Sequence, residues 1–73
     1  MTAQEMIDYH EDKIERLYKD RDKVEAIIHN LTKPGTHITI TELLDLTKSL
    51  ASIDKQIQSS IDIRSTLLNL NKN

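Results

Sequence analysis

Apolar residues recur at alternating steps of three and four over residues 7–31 and again over 43–67. The only proline and the only glycine, Pro34 and Gly35, stand side by side between the two runs. This arrangement constrains the fold more than any other feature of the chain. A sustained three-four rhythm is the signature of a helix that buries one narrow stripe against another helix. In the first run the stripe is Ile7, Ile14, Leu17, Val24, Ile28 and Leu31, with His10 and Arg21 at the remaining positions. In the second it is Leu43, Leu46, Leu50, Ile53, Ile57 and Leu67, with Ser60 and Arg64.

The ends of both helices carry local signals. Thr2 followed by Glu5 reads as a capping box, so the first helix is expected over about residues 3–32. Proline disfavours helix in the residue before it, and Lys33-Pro34-Gly35-Thr36 reads as a turn. The β-branched stretch "THITIT" predicts an extended connector over 33–40. A second helix is then expected over about 41–70, capped by Thr39 or Thr41, with the tail "NLNKN" frayed. Two helices of similar length joined by one turn fold back on each other. The fold class is therefore all-α, an antiparallel αα-hairpin forming one domain.

A turn near His37 pairs Leu31 with Leu43, Ile28 with Leu46, Val24 with Leu50, Leu17 with Ile57 and Ile7 with Leu67. In that register Arg21 faces Ile53 with Asp54 beside it, and the two form a candidate structural pair. His10 faces Arg64 and Ile14 faces Ser60, which makes a polar layer near the open end of the hairpin.

The apolar inventory exceeds what one seam can bury. Met6, Tyr9, Ile61, Ile63, Leu68 and Leu70 lie off the seam near the open end, and Ile27, Ile38, Ile40 and Leu44 lie off it near the turn. The open-end group is the expected oligomer interface. A homodimer forming a four-helix bundle, or a higher homo-oligomer, is the expected cover.

Composition limits what such a hairpin does. The 73 residues carry 10 basic and 12 acidic side chains, a net charge of −2, so no basic excess favours general nucleic-acid binding. No apolar run approaches the ~18 residues of a membrane span. The N-terminal residues are acidic rather than signal-like. The absence of cysteine fits a cytoplasmic setting. No nucleophile–base spacing, glycine loop or metal-ligand pattern stands out, so no enzymatic activity and no cofactor or metal are expected. The expected function is that of a small oligomeric regulator or inhibitor that binds a partner protein, of the kind found among bacterial and phage accessory factors. An alternative is an oligomer that sequesters a small anionic ligand such as a nucleotide signal. In that case Tyr9 would stack on a base while His10 and Arg64 contact phosphate.

A third reading rests on "LASIDKQI" (50–57). Ile53-Asp54 with Ile57 three positions on resembles the S-Q-E-L-D motif of the small aspartyl-phosphate phosphatases of sporulating bacteria, which are also helical hairpins. The Ser position of that motif holds Leu50, and its Gln-Glu pair is replaced by Ala51-Ser52. The resemblance implies a phosphatase-like regulator with Asp54 as the residue carried over.

Overall fold

The computed structural model describes residues 1–71. It contains two helices, α1 (Ala3–Leu31) and α2 (Ile40–Asn71), packed against each other along their length. The hairpin is a rod of 57 × 17 × 16 Å. No helix among the described residues is long and apolar enough to cross a membrane.

The start of α1 is set by Thr2, whose Oγ1 accepts from the Glu5 backbone N–H at 3.1 Å and donates to the Glu5 carboxylate. One of the helix's orphan donors is thereby satisfied. At the other end the Thr32 N–H bonds the Ile28 carbonyl, and the Thr32 hydroxyl donates to the His29 carbonyl. The chain then reverses. The Thr36 N–H bonds the Lys33 carbonyl at 3.1 Å and Gly35 sits at φ +86°. Proline at the second turn position with a positive φ at the third is the pattern of a type II turn.

Residues 36–39 belong to neither helix nor strand. Thr39 then caps α2: its Oγ1 accepts from the Glu42 N–H and its carbonyl accepts from the Leu43 N–H. Of the two candidate caps, Thr39 is the one used. The connector is therefore 32–39 and α2 begins at Ile40, one residue earlier than the 41 expected. At the C-terminus helix continues through residues 69–71. The rest of the tail, for which fraying is expected, lies outside the described residues.

The seam follows the three-four pattern closely. Ile7, Ile14, Leu17 and Ile57 are buried, and Val24, Ile28, Leu31, Leu46, Leu50, Ile53 and Leu67 are half-buried. Burial is deepest in the open-end half and declines toward the turn, where Leu43 is exposed. Fully burying an aliphatic side chain stabilises by about 1.5–3 kcal/mol. Only a few seam residues reach that limit, because two helices cannot enclose each other.

Candidate functional site

Three groups of side chains depart from an aliphatic seam: a polar layer near the open end, an ion-pair cluster at mid-rod, and the uncovered apolar flanks.

The polar layer consists of Ser60, His10 and Arg64. Ser60 is the most enclosed polar residue described, 1% exposed. A serine this deep keeps its hydroxyl only by bonding it. Its Oγ lies 3.3 Å from His10 Nδ1. The expected register set His10 against Arg64 and Ile14 against Ser60, yet the imidazole bonds Ser60, one helical turn away from Arg64. A seam residue sits between two positions of the facing helix, and chemistry selects the neighbour. A hydroxyl complements an imidazole as donor or acceptor, whereas a guanidinium offers donors only. Arg64 is half-buried, and its Nε is enclosed with no hydrogen-bond partner among the described residues. The Tyr9 ring meets the His10 ring edge-on, with centroids 5.1 Å apart, and is itself exposed. Tyr9, His10 and Ser60 are thus brought together, while Arg64 stands on the seam without a bond to any of them.

At mid-rod, Arg21 Nε donates to Asp54 Oδ1 at 2.7 Å, and its Nη2 lies 3.2 Å from Glu25 Oε1. These groups are one-third to one-half exposed, so the cluster is worth at most about 1 kcal/mol per pair. Its geometric effect is larger than its energy. It places Glu25 of α1 and Asp54 of α2 on the same side of the rod. Steps of seven residues then carry Tyr18 and Glu11 on α1, and Thr47, Ile61 and Leu68 on α2, to that side. The opposite flank bears Met6, Lys13, Asp20 and Ile27 on α1, with Gln56, Ile63 and Leu70 on α2.

The open-end residues therefore divide between two flanks. Ile61 and Leu68 belong to the Asp54 side, and Met6, Ile63 and Leu70 to the other, with Tyr9 beside them. Met6 and Ile61 are half-buried within the hairpin, whereas Tyr9, Ile63, Leu68 and Leu70 are exposed. Nearer the turn Ile27, Ile40 and Leu44 are exposed and Ile38 is half-buried. A shallow depression on the second flank is lined by Tyr9, Lys13, Arg16, Leu17 and Asp20, all from α1. Lys13 and Arg16 give it a cationic rim, a feature that the seam periodicity alone did not single out.

Among the described residues no group of three or more His, Asp or Glu is placed to hold a metal ion. Comparison with protein-family models, with curated proteins and with solved structures finds no significant match to this chain.

Proposed function

We propose that this chain is a small non-enzymatic helical module that assembles with copies of itself and binds another protein to regulate or inhibit it. The observation that carries this reading is uncovered apolar surface. A compact folded monomer of 8.4 kDa exposes about 4,600 Å². This hairpin exposes 5540 Å². The excess, about 900 Å², goes with the elongated 57 × 17 × 16 Å shape, which leaves both flanks of the seam uncovered. Much of what is uncovered is large and aliphatic or aromatic: Tyr9, Tyr18, Ile27, Ile40, Leu44, Ile63, Leu68 and Leu70. Exposure of this many large apolar side chains supports association.

Light scattering coupled to size exclusion tests the reading. The expected result is a mass that is a multiple of 8.4 kDa at micromolar concentration. A well-folded monomer under those conditions would overturn it.

The polar layer favours a second reading, an oligomer that holds a small anion. Arg64 Nε is a buried donor with no acceptor among the described residues, and His10 and Tyr9 lie in the same region. A phosphate oxygen supplies the missing acceptor. Thermal-shift measurement with a panel of nucleotides separates the two readings, since a true ligand stabilises the folded state by mass action.

A further inference from the structure

The two flanks of α1 carry opposite charge. On the Asp54 side of the rod, Asp8, Glu15 and Asp22 run beside Glu11 and Glu25, and α1 places no lysine or arginine among them. The other side holds Lys13, Arg16 and Lys23, with Asp20 the one carboxylate that α1 adds there. A solvated face needs no such sorting, since mixed signs along one face give stabilising pairs at i,i+4.

Contacts within the hairpin use little of either set. Arg21 reaches from the seam to Glu25 and Asp54, and Lys19, on the outer edge, lies 3.5 Å from Glu15. Glu11, Asp22, Lys13, Arg16 and Lys23 have no ion-pair partner among the described residues. The two sets cannot meet within one molecule, because they lie on opposite sides of a rod 17 Å by 16 Å in section.

Resting on the self-association proposed above, we infer that copies of this chain pack side by side, the carboxylate flank of one against the cationic flank of the next. Charge complementarity names the occupant, because the chain itself supplies both surfaces. A two-fold contact sets a flank against its own kind. Here that would bring carboxylates onto carboxylates or cations onto cations, which electrostatics disfavours.

Symmetry then fixes the direction. Turning a neighbouring rod end for end, with α1 still beside α1, exchanges its flanks. Unlike flanks of α1 therefore meet only when the rods run parallel. With their ends level, Glu11 comes beside Lys13 of the next copy, Glu15 beside Arg16 and Asp22 beside Lys23. Each pair is offset by no more than two residues, about 3 Å along the axis. The same alignment sets Ile61 beside Ile63 and Leu68 beside Leu70. It also keeps carboxylates apart: Asp20 falls beside Tyr18, Glu42 beside Ile40 and Asp45 beside Leu44. Each added copy leaves one flank of each sign open, so assembly continues past two copies into a closed ring or a filament.

One-sided variants decide the arrangement. The first carries Lys13→Gln, Arg16→Gln and Lys23→Gln; the second carries Glu11→Gln, Glu15→Gln and Asp22→Asn. All six positions lie off the seam. By light scattering coupled to size exclusion, each variant alone is expected at 8.4 kDa, against a wild-type mass above twice that value. Mixed, they are expected to give a one-to-one complex of twice 8.4 kDa and nothing larger, because only one matched pair of flanks remains. Lys55→Gln, on the outer edge of α2, should leave the wild-type mass unchanged. Variants that keep the wild-type mass, or that stay helical by circular dichroism yet do not combine, overturn the inference. So does a carboxylate variant that associates more strongly than wild type, the mark of like flanks meeting, although self-association itself would then stand. A wild-type mass fixed at twice 8.4 kDa is a closed dimer and has the same consequence. Salt gives a check that needs no variant. The wild-type mass should fall between about 0.1 M and about 1 M salt as screening tightens, and a mass that holds or grows overturns the inference. A wild-type monomer at micromolar concentration in low salt would leave the flanks to a different protein and remove both readings.

Discussion

At the scale of single residues, the polar members of the seam do different jobs. Arg21 bonds Asp54 across the helices and Glu25 along its own, partly exposed to water. The long aliphatic stem of an arginine lets it occupy a seam position while its head reaches the rim. Removing Arg21 or Asp54 is expected to cost little, and a double-mutant cycle with Arg21→Ala and Asp54→Ala should return a coupling of up to about 1 kcal/mol. Additive losses in urea unfolding would show that the 2.7 Å bond contributes no stability. Arg64 is the contrasting case. An enclosed donor with no acceptor costs about 1–3 kcal/mol, and replacing it with an apolar residue of similar shape removes that cost. Arg64→Met is accordingly expected to hold or raise Tm, whereas Arg64→Ala should lower it through lost packing. A fall of several degrees in the methionine variant would show that the guanidinium is engaged in the native protein.

At the scale of the elements, the hairpin depends on how α1 stops and α2 starts. Gly35 occupies φ +86°, a conformation that side chains with a Cβ avoid at a cost of about 1–2 kcal/mol. A Cβ built there meets nothing within 4 Å, so the cost of Gly35→Ala is conformational rather than steric. The expected loss is about 1 kcal/mol in chemical denaturation, with Gly35→Asn less affected because asparagine tolerates this region. An unchanged midpoint in the alanine variant would mean that the turn adapts and does not direct the reversal. Thr39→Ala should cost about 1 kcal/mol by removing the bond to the Glu42 N–H. Thr41→Ala should not, since Thr41 lies inside the helix. Equal effects of the two would contradict the observed start of α2.

At the scale of the whole molecule, a rod of two helices has little interior. Ile7, Ile14, Leu17 and Ile57 form its buried apolar core, all in the open-end half. Large-to-alanine changes in protein cores cost about 2–5 kcal/mol, which is a large fraction of the stability of any small domain. Ile57→Ala is therefore expected to unfold most of the chain at room temperature, seen as loss of the helical circular-dichroism signal. Self-association adds a signature of its own. If copies stabilise one another, Tm rises with protein concentration. A Tm constant across a hundredfold dilution would place all the stability within one hairpin.

The seam, the turn and the caps were legible from the residues because each follows from local chemistry. A three-four rhythm defines a helix face, Pro34-Gly35 breaks the helix, and threonine followed by glutamate three positions on begins one. Pairing aliphatic against aliphatic then set the antiparallel register to within about one turn. What the sequence could not rank was the choice among neighbours that this register leaves open. His10 had both Arg64 and Ser60 within a turn, and only the tertiary structure shows the imidazole bonded to the hydroxyl. Arg64, an ordinary charged residue on paper, has its Nε enclosed without an acceptor among the described residues because of how the two helices meet. The sides of the rod were likewise undecided until Arg21 bridged Glu25 and Asp54. That contact joins flanks from both helices, and residues distant in sequence share a face only through such contacts.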